Sequence, residues 1–138
     1  MSYLLDSNTC ILYLNGRSGP VRRRLESQRP EELVVCSVVR AELFFGTLRT
    51  QNPAHMLVVL NHFLKRFPSL PFDDQCVEAY GRVRAHLASN GTPIGPDDLF
   101  IAAIALTHEA ILVTHNTREF ARVQGLAWED WDTGERSA

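Results

Sequence analysis

Apolar residues along this chain fall into two spacings. Four short runs, residues 3–5, 33–36, 70–72 and 111–114, are Leu-, Val- or Ile-rich and are separated by longer stretches with apolar positions at helical intervals. Short apolar runs of this kind predict strands buried on both faces, and their alternation with helices predicts a parallel α/β sheet. Asn8 is placed to cap a first helix over 9–14 that stops at Asn15-Gly16, and 21–27 reads as a second helical piece. Ser37 can cap a helix running through Glu42 to about Leu48, and Asn52-Pro53 opens another that reaches about Phe67, before Pro68. Asp73 or Asp74 starts a helix ending at Asn90-Gly91, Gly95-Pro96 introduces one over 97–108, and 119–123 forms a short last helix.

Length and composition narrow the class. At 138 residues with 45% hydrophobic content, the chain is expected to form one domain over 1–138. The longest apolar run, 99–106, is far too short to cross a bilayer, and the start lacks a basic leader region, so a cytoplasmic protein is expected. Cys10, Cys36 and Cys76 show no metal or disulfide spacing and read as small buried hydrophobes. A net charge of −2 excludes a global basic field, so any polyanion must be gripped locally. Arginine, of which there are thirteen against the single Lys65, is the side chain whose planar fork suits phosphate.

Candidate chemistry lies in the acids. Asp6 directly follows the first strand, at the carboxyl edge where open α/β sheets gather ligands. Glu42 has only apolar helix neighbours, Val38, Val39, Phe45 and Gly46. Its charge therefore needs compensation from Arg40, a backbone cap or a cation. Asp97 and Asp98 both open the most apolar helix, where the helix dipole favours carboxylates, and periodicity does not say which of them faces a site. Thr114, His115, Asn116 and Glu119 follow the last strand and reach the same edge. Converging carboxylates repel one another, and hard divalent cations relieve that repulsion. Such a centre suits phosphoryl transfer by water.

With Leu4-Leu5-Asp6-Ser7-Asn8, Ala41-Glu42-Leu43, Thr92-Pro93-Ile94-Gly95-Pro96 before Asp98-x-x-Ile101-Ala102-Ala103, Val113-Thr114-His115-Asn116-Thr117-Arg118-Glu119-Phe120 and Glu129-Asp130-Trp131 in this order, the chain resembles the PIN-domain ribonucleases, in particular the VapC-type toxins of bacterial toxin–antitoxin pairs. The resemblance implies a three-layer α/β/α sandwich around a parallel sheet. It makes Asp6, Glu42 and Asp98 the catalytic and metal-binding acids, because the aspartate three residues before the Ile-Ala pair is Asp98. Asp97 then falls to a capping or supporting role; by their place beside the pocket and not from the resemblance, Asn8, Thr114, Asn116 and Glu119 are candidate supporting residues, and His115 and Arg118 candidate substrate contacts. Asn116 stands where the wider group often has an acid. The resemblance further implies Mg²⁺ or Mn²⁺ as cofactor, a homodimer, a VapB-type antitoxin seated on an apolar groove to which Leu43, Phe44, Phe45 and Leu48 contribute, and cleavage of structured RNA to 5′-phosphate and 3′-hydroxyl ends. The nearest resemblance is to toxins that cut the anticodon region of initiator transfer RNA.

Two other strand-end aspartate chemistries fit worse. A receiver-type phosphoacceptor needs an early acidic pair and a lysine ending a late strand, whereas Lys65 lies mid-helix. A haloacid-dehalogenase-type phosphatase needs a second aspartate where Asn8 stands. A binder of RNA or of a partner that does not cut remains the non-enzymatic alternative, and three intact acids argue against it.

Overall fold

The computed structural model describes residues 1–138. Five parallel strands, β1 (Tyr3–Leu5), β2 (Leu33–Cys36), β3 (Ser69–Leu70), β4 (Ile111–Val113) and β5 (Trp128–Glu129), lie in the order β3-β2-β1-β4-β5. Around them run α1 (Ser7–Leu14), α2 (Gly19–Ser27), α3 (Ser37–Leu48), α4 (Pro53–Leu64), α5 (Val77–Ser89), α6 (Pro96–Thr107) and α7 (Thr117–Phe120). Helices flank the sheet in the three-layer α/β/α arrangement expected from the sequence. The central strands are apolar because both faces are covered: Leu4, Leu5, Val35, Cys36, Leu112 and Val113 have no exposed surface. No helix is long and apolar enough to cross a membrane. All three cysteines are free and buried.

The strand order places the site. From β1 the chain steps outward to β2 and β3 on one side, then returns to add β4 and β5 on the other. The reversal falls between β1 and β4, paired Tyr3 to Ile111, Leu4 to Leu112 and Leu5 to Val113. Beyond the carboxyl ends of such a pair the connections diverge and leave a crevice. Asp6 is the next residue after β1, and its N–H still bonds Val113 O at 3.0 Å. Thr114 is the next residue after β4.

Local structure departs from expectation at several ends. Helix α1 begins at Ser7, and its cap is Asp6, whose side chain accepts from Thr9 N at 3.0 Å. Asn8 is an exposed residue of the first turn, so capping there is corrected from Asn8 to Asp6. Cys36 takes the cap position of α3 in place of Ser37, with no side-chain bond. Asn52 caps α4 as expected through His55 N, but the helix stops at Leu64. Pro71 follows β3, which ends at Leu70 instead of running to Phe72. The last helix starts at Thr117, two residues earlier than its spacing suggested. Gly91, at φ +66°, ends α5 in the left-handed region that a side chain disfavours.

Because Leu112 is enclosed at the centre of the sheet, Leu112→Ala should lose about 2–5 kcal/mol of folding free energy, through lost transfer energy plus a residual cavity. Urea unfolding followed by circular dichroism measures this. A cost below about 1 kcal/mol would mean that the central strands collapse around the gap.

Candidate active site

Four segments deliver side chains to the crevice. Asp6 comes from the β1 end, Glu42 from the second turn of α3, Asp97 and Asp98 from the first turn of α6, and Thr114, Asn116 and Glu119 from the β4 end and α7. Pro96 at the start of α6 fixes the backbone for helix entry, and Gly95 caps it. A side chain at 95 would come within 3.8 Å of Asp98 Oδ2.

Asp6 is 5% exposed, and burial raises its pKa. The Thr114 hydroxyl and the Thr9 N–H pull it back by favouring the ionised form, while the charge of Asp130 raises it further. Glu42 is half-buried; its pKa is raised first by burial and then by the charges of Asp97 and Asp6, against a hydrogen bond donated by Ser7 Oγ to Oε1 at 3.1 Å. Ser7 is therefore its neutral partner. Arg40 is exposed and makes no ion pair with Glu42, which removes the salt bridge considered from sequence.

Asp98 and Glu119 act as a pair. Burial, the hydrogen bond shared with Glu119, and the charges of Glu119, Glu42 and Asp6 push Asp98 up to about 8, while Glu119 is lowered because Asp98 donates to it. The two acids thus hold one proton between them. Asn116 Nδ2 donates to both, 3.1 Å to Asp98 Oδ2 and 2.8 Å to Glu119 Oε2, while its own N–H bonds Thr114 Oγ1 at 2.9 Å. Its amide faces the acids and does not cap α7, although it occupies the cap position. Asp97, exposed on the outer side of the same turn, lies against Glu42.

Of the residues singled out from sequence, Asp6, Glu42, Asp98, Asp97, Thr114, Asn116 and Glu119 gather at one edge. Asn8 makes no hydrogen bond to the acids, and Arg118 is exposed on α7, next to Glu119 in the chain. His115 lies on the rim, its Nδ1 2.9 Å from Asp130 Oδ2. Ser7, Thr9 and Asp130 were missed as site residues. A hydroxyl flanking Asp6 is a usable local signal for Ser7, but nothing near Asp130 announces that it is 3% exposed.

The donor set is all oxygen, and it is charge-frustrated. As they stand, no three Asp, Glu, His or Cys side chains converge closely enough to enclose an ion. A shared proton and an amide hold Asp98 and Glu119 together instead. Hard divalent cations are selected by this chemistry, carboxylate oxygens whose mutual repulsion a positive charge relieves. The residues present fit such an ion.

A buried parallel sheet with acids gathered at its switch point defines a class of α/β proteins that bind ligands at that edge rather than one protein, and comparison with known proteins narrows it. The family model for the PIN domain matches residues 3–126. The tRNA(fMet)-specific endonuclease VapC of Shigella flexneri is 37% identical over 131 residues, covering 95% of this chain and 98% of the relative. Among solved structures, DNA-bound VapBC from Salmonella typhimurium superposes with a TM-score of 0.88 at 34% identity, covering 95% of this chain and 98% of that one. VapBC2 from Rickettsia felis, bound to a promoter DNA fragment, gives 0.87 at 32% identity over 96% and 100%. The chain belongs to the PIN-domain family and, within it, to the VapC ribonucleases.

The Asp98–Glu119 pair predicts how the metal-free protein responds to pH. A folded-state pKa of about 8, above the unfolded value near 3.9, means stability is fully present below about pH 4 and is lost as pH rises through 8. Glu119, whose pKa is lowered, works in the opposite sense, but its loss of stability begins only as pH falls through its own folded value, below the ordinary glutamate range. In EDTA the melting temperature should therefore fall from pH 5 to pH 9. Asp98→Asn, whose amide can still donate to Glu119, should flatten that slope. Parallel slopes in parent and variant would show that the proton is not held there.

Proposed function

We propose that this chain is the toxin of a toxin–antitoxin pair, an Mg²⁺- or Mn²⁺-dependent endoribonuclease that hydrolyses a phosphodiester bond of structured RNA; its Shigella relative is named as specific for tRNA(fMet), and the anticodon region of that initiator tRNA is the substrate we assign to this chain. The observation that carries the reading is the convergence of Asp6, Glu42 and Asp98 on one crevice from three separate elements. Asp6, Asp98 and Glu42 would hold the ion, which when bound polarises the phosphate and lowers the pKa of water.

The chain's own residues do the rest. Thr9 N–H and the Thr114 hydroxyl orient Asp6 and keep it ionised. Ser7 orients Glu42, and Asn116 holds Asp98 and Glu119 side by side. An ion held by Asp98 would need its carboxylate form, and with Asp98 raised to about 8 by burial and Glu119, metal affinity should rise with pH toward about 8. With water and not a ribose 2′-hydroxyl as nucleophile, the products carry 5′-phosphate and 3′-hydroxyl ends.

The antitoxin reading rests on a groove of about 290 Å³ walled by Ile11 and Leu14 of α1, Leu43 and Gly46 of α3, and Met56 and Leu60 of α4. Glu42 also lines it, so the groove opens onto the acids. Phe44, Phe45 and Leu48, expected in the groove, do not line it; they are 47%, 60% and 55% exposed on the same helix and offer a partner further apolar contact beside it. An amphipathic VapB-type segment with a basic side chain reaching the acids fits both features.

Purified Asp6→Asn and Asp98→Asn should each lose cleavage of an initiator-tRNA anticodon stem-loop by more than about 100-fold, while Ser7→Ala, which removes only the hydrogen bond to Glu42, should lose about 10–100-fold and recover partly at high Mg²⁺. Gel analysis of labelled RNA reads this. Parental rates in Asp98→Asn would remove the catalytic assignment and leave a binder that does not cut.

Asn116→Asp replaces two donated hydrogen bonds with a further carboxylate. Mn²⁺ titration calorimetry should show tighter binding or a higher stoichiometry than the parent, and the metal-free variant should melt lower. Identical titrations would place the amide outside the ion's reach.

A further inference from the structure

We propose that His115 is a further RNA-contacting residue of this ribonuclease, aimed at the sugar–phosphate backbone, and that Asp130 is the positioning residue that holds it. The inference rests on the ribonuclease reading above. Asp130 has a side chain only 4% exposed, and both of its oxygens are engaged. Oδ1 accepts from Asp132 N at 2.9 Å and Thr133 N at 3.4 Å, and Oδ2 faces His115 Nδ1 at 2.9 Å. An acid this fully bonded is unsuited to bind a cation, although its charge reaches Asp6.

A carboxylate only accepts, so His115 Nδ1 carries the proton of this bond and Nε2 is the ring nitrogen left for a ligand. The ring is 51% exposed. Its backbone lies between Thr114, whose hydroxyl acts on Asp6, and Asn116, which bridges Asp98 and Glu119. The Asp130 that holds the ring is near enough for its charge to act on Asp6, which puts the ring beside the acid crevice. Ser18 Oγ, bonded to Asp132 Oδ1 at 2.6 Å, ties the Asp130 turn to α2 and fixes it from the other side. A solvent-facing histidine needs no buried carboxylate to stay soluble, whereas one that must present a single nitrogen does. Nε2 can accept from a ribose 2′-hydroxyl or, when the ring is charged, donate to a phosphate oxygen.

The test compares the parent, H115A, D130N and the double variant on a labelled initiator-tRNA anticodon stem-loop, with melting temperatures and ¹⁵N spectra of the histidine ring. H115A should raise KM about tenfold, the worth of one hydrogen bond, with kcat and Mg²⁺ requirement unchanged, and should lower the melting temperature because Asp130 Oδ2 loses its partner. D130N should raise KM similarly, add nothing in the H115A background, and convert the His115 spectrum from the Nδ1–H tautomer to a mixture. If D130N does not fold, the H115A kinetics and the parental tautomer decide. A 2′-deoxy substitution beside the cut bond makes parent and H115A converge if the contact is to the hydroxyl, and leaves them apart if it is to phosphate; both support the contact. H115A with parental KM and a lowered melting temperature would reduce the pair to a clip for the C-terminal turn. A parent that cuts no RNA overturns the ribonuclease reading as well, whereas a cutting parent matched by H115A overturns this inference alone.

Discussion

The burial of the Asp6 carboxylate is the constraint on which the rest of the site depends. A carboxylate this enclosed is costly unless its oxygens are bonded, and here the compensation is local: the first turn of α1 supplies the Thr9 N–H, and the β4 end supplies Thr114. The second is available only because β1 and β4 are neighbours. One residue therefore terminates a strand, caps a helix and fixes the floor of the crevice, and a change in strand order would leave the cap but remove the Thr114 contact.

Around that floor, the other acids make no ion pair, and the charge of Arg122 is only the last of the influences on Glu119. Arg24 is taken up by Glu129, 3.1 Å away, and stacks over Trp131; Arg82 pairs with Glu78 on the surface. The crevice instead uses neutral donors, Ser7, Thr9, Thr114 and Asn116, and one shared proton. Neutral donors orient carboxylates without cancelling their charge. The cluster therefore keeps the negative potential that a hard cation would relieve, and holds its ligands in place beforehand.

How much of this was legible in the sequence depends on distance along the chain. The three strands 3–5, 33–36 and 111–114 and the acids at their ends were readable because each is a short apolar run with a polar stop. The cap was misread because Asn8 is the better capper by type, while the backbone turns directly after Leu5 and leaves the position to Asp6. Glu42 was noticed for its apolar neighbours, and they divide: Val39 is buried and Phe45 faces solvent, so the carboxyl is half-buried, with its pKa raised by that burial and by the charges of Asp97 and Asp6. Strand β5 is two residues long and exists by pairing with β4, so no local pattern announces it. Asp130 looks like an ordinary turn acid, and its partner His115 is fifteen residues upstream.

That last pairing bears on how an acidic protein can hold a polyanion at all. With a net charge of −2 and a crevice of carboxylates, long-range attraction cannot bring RNA to the site, so the grip has to come from short-range groups on the rim and from an ion within. On the proposed reading, occupancy by a cation and binding of RNA are then coupled: an unloaded crevice repels phosphate, and a loaded one attracts it. The apolar groove along α3 ends at the same acids through Glu42, so a basic side chain delivered by a groove-bound partner would compete for the charge that the cation needs. Inhibition by such a partner requires no change of fold, only that its cation reach the crevice before the metal and the RNA do.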